Sequence, residues 1–292
     1  MSNTDTDEIK SINTTLTNLF NEFRRHQTDQ LIQHNQRRKA EHPNPITRCG
    51  QQLFSQSDED GVTIEILRRM GMLKGNHYNP YRFVEIGIEN GTQCNTLVLA
   101  AMGWEGVWYD QVDLGYKIPN PERLMHVKTR VTRRDVYDLL TEEVDKNQMP
   151  LPVDVLSVDV DGTDYHLCQA LLHEPAEYIR PALFIVEYNA DFPPPVPFVQ
   201  DYSDDYNWDH SNYYGASLQS LSDLFGRNGY RLVACNAASG CNAFFVREDK
   251  FKNGMFDDVP RNIRDIYVPP HYQLDVKFSH GPSLKTVLQV LK

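Results

Sequence analysis

No run in this sequence approaches the ~18 consecutive apolar residues that a membrane span needs, and the polar, acidic start has no apolar signal core. These absences predict a soluble, cytoplasmic protein with no membrane span. Cysteine is scarce and unpatterned. Cys49, Cys94, Cys168, Cys235 and Cys241 are odd in number and without CxxC spacing, so the sequence suggests neither a disulfide framework nor a zinc site, and reads them as buried thiols in a reducing compartment. Positive charge is also short: 29 Lys and Arg stand against 40 Asp and Glu, a formal net charge of −11, with no basic stripe to meet a phosphate backbone. Nucleic acid is therefore not an expected partner. Internal repeats and low-complexity segments are missing as well.

What the 292 residues do contain, at 40% hydrophobic content, is enough for one elaborated domain with appendages. The expected division is a helical extension over 1–50, an α/β domain over 51–250 and an unassigned extension over 251–292. Ile9, Ile12, Leu16, Leu19, Phe20 and Phe23 recur at three- and four-residue steps, the mark of a helix face. That face is equally a packing surface, a dimerisation arm that would make a homo-oligomer, or a cover for a substrate site. Within 53–73 a second amphipathic helix is expected, carrying Val62, Ile64, Ile66, Leu67 and Met70, preceded by N-cap candidates in 54–61 and with the acidic run Asp58-Glu59-Asp60 suited to its N-terminus.

Strands and helices then alternate. Strands are expected at 83–88, 106–112, 125–131, 153–160 and 182–189, with helices at 92–102, 134–146 and 163–173 between them. Such alternation implies a parallel sheet covered on both faces. After a long aromatic and acidic loop, 190–214, read as a substrate-site lid, come a helix at 215–228 and two strands, 230–236 and 242–248, close enough in sequence to form an antiparallel hairpin.

The organising stretch is Phe83-Val84-Glu85-Ile86-Gly87-Ile88-Glu89-Asn90-Gly91-Thr92, a strand running into a glycine turn and a helix start. Glycine lets the backbone turn sharply and lets a ligand approach closely. A dinucleotide fingerprint needs a glycine where Glu89 stands, and a carboxylate there would face a diphosphate. The same carboxylate is acceptable beside S-adenosylmethionine (SAM), which carries a sulfonium and an ammonium and no phosphate. Asp110 or Asp113, at the second strand end, is placed to accept from ribose hydroxyls. At the fourth and fifth strand ends stand Asp159, Asp161 and Asp164, then Glu187 and Asn189. Asp159 or Asp161 with Glu187 and Asn189 could hold a hard cation such as Mg²⁺, which would lower the pKa of an acceptor hydroxyl; the alternative is that the aspartates cap a helix and Asn189 supports a turn. His210, in the long loop, is the candidate general base, with Tyr213 and Tyr214 as orienting groups.

Several stretches agree with one family: Phe54-Ser55-Gln56, Val84-Glu85-Ile86-Gly87 with Gly91 and Asn95-Thr96-Leu97, Gly103-Trp104-Glu105-Gly106, Leu156-Ser157-Val158-Asp159-Val160-Asp161-Gly162, Val186-Glu187-Tyr188-Asn189, Tyr214-Gly215-Ala216-Ser217 and Asn242-Ala243-Phe244-Phe245. Together, over 54–247, they resemble the FkbM-like SAM-dependent methyltransferases. The resemblance implies a Rossmann-like α/β fold, a seven-stranded, mostly parallel sheet with an antiparallel last strand, and methylation of an oxygen on a sugar, glycan or small-molecule metabolite. It implies a SAM site at Glu85, Gly87, Glu89, Gly91, Asn95 and Asp110, and catalysis by Asp161 and His210. A looser similarity to metal-dependent O-methyltransferases places Mg²⁺ on Asp159, Asp161, Glu187 and Asn189, although Glu187-Tyr188-Asn189 departs from the usual adjacent acidic pair. The competing readings are a metal-dependent sugar-nucleotide transferase using Asp159 and Asp161, and a methyltransferase-like scaffold that has lost its donor site, with Glu89 as the hint.

Overall fold

The computed structural model describes residues 3–73, 81–146, 152–173, 179–272 and 284–290. They form two compact units, 1–41 and 42–292. The first is one helix, α1 (Asn3–Glu41), on which Ile12, Leu16, Leu19, Phe20 and Phe23 are all exposed.

The second unit is built on a seven-stranded sheet in the order β3-β2-β1-β4-β5-β7-β6. Its strands are β1 (Arg82–Ile86), β2 (Glu105–Asp110), β3 (Leu124–Lys128), β4 (Val155–Val158), β5 (Leu183–Glu187), β6 (Tyr230–Cys235) and β7 (Asn242–Arg247). β1 to β5 pair in parallel, and β7 runs antiparallel between β5 and β6. This strand order and the single reversed strand are those of the methyltransferase-like α/β fold. The central strands are apolar on both faces because helices cover both sides, so they read as continuous Val, Ile, Leu and Phe rather than alternating. Under β7, Phe225 stacks on Phe245 at 4.1 Å and meets Phe184 edge-on at 5.0 Å. Among the described residues no helix is long and apolar enough to cross a membrane.

The helices of this unit are α2 (Glu59–Met70), α3 (Leu97–Ala101), α4 (Val136–Lys146), α5 (Asp164–His173), α6 (Leu218–Arg227) and α7 (Leu284–Val290). α2 begins at Glu59, within the acidic run expected at its N-terminus, and ahead of it the backbone N–H groups of Leu53, Phe54 and Ser55 turn inward to donate to the Asp60 carboxylate. Asp58 sits at the N-cap position without a cap bond; its carboxylate accepts from the Ala238 N–H across the fold. α3 starts later than its sequence pattern suggests, at Leu97 rather than Thr92, since the N–H groups of Asn95 and Thr96 donate to Glu85. β4 stops at Val158, which leaves Asp159 as the first residue beyond the sheet. Asp164, not Asp159 or Asp161, anchors the start of α5, accepting from the Val160 and Gly162 N–H groups. Of the cysteines, four are buried and Cys49 is exposed, contrary to the expectation that all are buried.

The segments flanking the sheet are tied into this unit. Asn44 donates to the Val233 carbonyl and Thr47 to that of Cys235. Beyond β7, Tyr188 donates to the Val268 carbonyl, Tyr267 to that of Ala190, and the His271 N–H to that of Ser239. The stretch up to Tyr272 thus straps across the carboxyl end of β5 and the amino end of β7.

Candidate active site

In an open parallel sheet, a crevice forms beyond the strand ends where the strand order reverses, here between β1 and β4. The turn after β1 fits that crevice through glycine. Gly87 has φ +89°, and a Cβ there would lie 1.6 Å from the Asp159 carbonyl oxygen. Gly91 has φ +78°, and a Cβ would lie 2.5 Å from Leu114. Glu85 fastens the turn from beneath. Its carboxylate accepts from the Asn95 and Thr96 N–H groups at 2.8 and 2.9 Å and from the Thr96 hydroxyl, which itself accepts from the Trp108 indole. Burial pushes the Glu85 carboxyl up to about 7, against the lowering effect of those bonds. The Asn95 side chain donates to Ser157. These two sequence candidates therefore hold the turn in shape. Asp110 reaches the turn from the next strand: one oxygen accepts from the Ile88 and Glu89 N–H groups, both at 2.8 Å, and the other from Val112.

Two cavities open on this crevice. One, of about 390 Å³, lies over the ends of β1 and β2 and is lined by Asp110, Thr129, Val131 and His210 among others. The other, of about 400 Å³, lies over the turn after β1 and the ends of β4, β5 and β7, and is lined by Glu85, Gln93, Asn95, Glu187, Asn242 and Tyr272 among others. Gly87, Glu89, Asp159, Asp161 and Trp208 line both. Among the described non-glycine residues with positive φ, Glu89 (+50°), Asp161 (+55°) and His210 (+60°) all stand at these cavities. Left-handed backbone costs roughly 1–3 kcal/mol per residue and gathers where function constrains the chain.

Carboxylates dominate the shared wall. Asp159, Asp161 and Glu187 can each turn one oxygen to within 4.8 Å of the others. Burial, then the neighbouring Asp161 and Asp164, raises the proton affinity of Asp159; burial, then Asp159, does the same for Glu187; burial, then Asp110, raises Asp161, which the nearby His210 partly offsets. Glu89 is raised by burial and by Asp161 and Asp110. A cation in this space would relieve all four. The set suits a hard ion, being oxygen only. Asn189 is not brought to it. Its amide donates to the Asn212 and Tyr214 carbonyls, both at 2.9 Å, and its oxygen accepts from the Asp191 N–H, so it braces the loop that covers the site. That fits the turn-supporting alternative and removes Asn189 from the carboxylate group.

His210 is exposed, packs on Trp208 at 4.8 Å between ring centroids, and lines the cavity over β1 and β2. The loop 190–214 carries its own small core, Phe192 stacked on Phe198 at 4.1 Å with Tyr213 beside them. Sequence reading missed several lining residues: Ser57, Ser239, Asn242, His271 and Tyr272. Their nearest sequence signal was the polar run Ser239-Gly240-Cys241-Asn242; nothing in the local pattern marks His271 or Tyr272.

No family model matches the chain, and no curated protein matches it. Solved structures similar to it include a protein described as a ribosomal RNA methyltransferase from Plasmodium falciparum, at 13% identity over 66% of this chain and 96% of that one, TM-score 0.37. Another is the MycE methyltransferase of the mycinamycin biosynthetic pathway, in complex with Mg, SAH and mycinamycin VI, at 15% identity over 71% and 62%, TM-score 0.36. An O-methyltransferase family protein from Burkholderia thailandensis matches at 9% identity over 65% and 59%, TM-score 0.33. The last two alignments span less than two thirds of the matched proteins. At such scores these likenesses carry no weight, and the fold rests on the strand order itself.

Proposed function

We propose that this protein is a SAM-dependent O-methyltransferase that acts on a hydroxyl of a small molecule or glycan, assisted by a divalent metal, with the FkbM-like methyltransferases as its family. The observation that carries the reading is the pair of cavities meeting at Gly87, Glu89, Asp159 and Asp161. Group transfer between two bound molecules needs two adjoining chambers with a common wall, and positioning supplies most of the rate effect. SAM supplies a methyl group already activated by its sulfonium. Asp110 Oδ1, which accepts from the Val112 N–H, has a second lone pair for a ribose hydroxyl, and the Gly87 turn lets the donor approach the backbone. Glu89 offers negative charge to the donor's ammonium and sulfonium. Asp159, Asp161 and Glu187 would hold the metal, whose charge lowers the pKa of a hydroxyl beside it. Asp161 and His210 are the groups in reach to take the hydroxyl proton. In this reading the catalytic domain spans 51–250, with 1–50 and 251–292 as extensions, the latter contributing His271 and Tyr272.

The sugar-nucleotide reading loses support from the same walls. A nucleoside diphosphate needs compensating cations, yet among the described residues no Lys or Arg lines the cavity over β4, β5 and β7, and Arg130 alone of these types lines the other. The deciding experiment is isothermal titration with S-adenosylhomocysteine, in EDTA and in Mg²⁺. Micromolar binding is expected. No binding by folded protein, with UDP-sugar binding instead, would overturn the proposal.

A further inference from the structure

The cavity over β4, β5 and β7 contains two buried acceptors without hydrogen-bond partners. One is Glu187 Oε2 and the other is Asn242 Oδ1. Glu187 ends β5 and Asn242 begins β7, and the two are directly paired in the antiparallel register, so their side chains leave the same face about 4.5–5.5 Å apart at Cβ. Asn242 is only 2% exposed. Its amide orientation is fixed from behind: Nδ2 points to Glu59 Oε1, and a carboxylate that also takes bonds from Ser57 and Asn236 can only accept. The carbonyl of Asn242 therefore remains on the other side, beside the Glu187 carboxylate.

Such a pair is costly to leave buried unless a donor arrives. Among the described residues no Arg or Lys lines this cavity, while Glu89, Asp159 and Asp161 add to its negative charge. Trp208, Tyr214 and Tyr272 also line it, and aromatic faces favour a cation. We propose that Glu187 and Asn242 form a subsite for a protonated amine, so that the acceptor is a small hydroxylated molecule bearing an ammonium group. A neutral hydroxyl would satisfy one of the two oxygens; an ammonium has three donors and a charge, and satisfies both. Carboxylated or phosphorylated acceptors are disfavoured by the same wall. The subsite rests on the methyltransferase reading only in naming its ligand the acceptor.

The test uses three molecules of one shape: tyramine, para-ethylphenol and para-hydroxyphenylacetate, which differ in being cationic, neutral and anionic. Each is titrated into the full chain in EDTA, alone and with S-adenosylhomocysteine. Tyramine is expected to bind about tenfold or more tighter than para-ethylphenol, with the anion weakest. Glu187→Gln is expected to bring the tyramine to para-ethylphenol ratio close to one, with its far-UV circular dichroism and cooperative melting showing that the variant is folded; Asn242→Ala narrows the ratio in the same way. Equal binding of tyramine and para-ethylphenol by the unaltered protein overturns the proposal, as does no tyramine binding at millimolar concentration, or a preference that survives both substitutions. Glu187 has two oxygens, one for the metal and Oε2 for the ammonium, so tyramine is expected to stay bound when Mg²⁺ is added; its loss overturns the subsite, because the carboxylate then serves the metal alone. The donor is tested separately: a tyramine preference without S-adenosylhomocysteine binding sinks the methyltransferase reading and leaves the amine subsite standing.

Discussion

The two cavities share a wall but are assembled in different ways. The one over β1 and β2 is walled largely by successive strand ends of the parallel sheet, Gly87 and Glu89 after β1, Asp110 at β2, Thr129 to Val131 after β3 and Asp159 to Asp161 after β4, with Asp110 tied to the backbone at Ile88 and Glu89. Its partner draws on distant pieces, Ser57 ahead of α2, Glu187 at β5, Tyr214 in the long loop, Asn242 at β7 and Tyr272 in the strap. A site walled by strand ends depends on backbone conformation and fails sharply when that is disturbed. A site gathered from remote side chains loses one contact at a time.

The sharpest break is at Gly87. Alanine there combines φ +89° with a Cβ placed 1.6 Å from the Asp159 carbonyl, so both the turn and the first residue beyond β4 must move. Gly87→Ala is expected to abolish S-adenosylhomocysteine binding, a loss of at least about a hundredfold by titration, and to lower the melting temperature, since the backbone strain alone is worth roughly 1–3 kcal/mol. Wild-type affinity in the variant would mean that the donor does not use this turn.

Next in size is the shared wall. Asp161→Asn keeps the shape and removes a charge that both cavities feel. Turnover of a methyl acceptor is expected to fall about a hundredfold or more, in the range typical for loss of a proton-transfer group, while S-adenosylhomocysteine affinity changes by less than about tenfold. An equal fall in donor affinity and turnover would make Asp161 a donor contact instead.

The carboxylates also set a pH dependence. Glu85 is raised to about 7, Asp164 likewise to about 7, and Asp159, Asp161 and Glu187 are raised too, each mainly by burial. A carboxyl whose folded pKa exceeds its unfolded value is protonated longer in the folded chain, so the folded state binds more protons across that window and stability falls as pH rises through it. The metal-free protein is expected to melt higher at pH 5 than at pH 8. Calorimetric scans in EDTA check this, and Mg²⁺ should recover the part of the loss at pH 8 that comes from Asp159, Asp161 and Glu187, by replacing their protons. A melting temperature that climbs from pH 5 to 8 in EDTA would remove the electrostatic argument for a cation site.

This contrast also explains what could be read without coordinates. Strand alternation and the Gly87 turn were legible because each is a local pattern: apolar runs of strand length, and a glycine pair ahead of a helix. The extent of α3 was not, because Glu85 captures the Asn95 and Thr96 N–H groups that the sequence pattern assigns to the helix. Asp159, Asp161 and Glu187 were legible as strand-end acids, whereas Asn189 looked equivalent and is instead engaged by Asn212 and Tyr214 carbonyls. Pairing of Glu187 with Asn242 depends on β7 inserting beside β5, a long-range event with no local mark. Tyr272 reaches the cavity only because the strap crosses the sheet end, held where Gly240 leaves room for the Val268 and Pro269 carbonyls.

Tyr272 is also where the smallest effect is expected. Its hydroxyl shares a 3.0 Å hydrogen bond with that of Tyr214, and both rings line the cavity over β5 and β7. Tyr272→Phe keeps the ring and removes one neutral hydrogen bond, worth about 0.5–1.5 kcal/mol. Because the donor cavity does not include either tyrosine, S-adenosylhomocysteine affinity should stay unchanged while acceptor affinity weakens by about two- to tenfold. A larger loss, or one shared by the donor, would show that the strap holds both chambers in shape, and the division between a strand-end half and an assembled half would have to be redrawn around Gly240 and the strap.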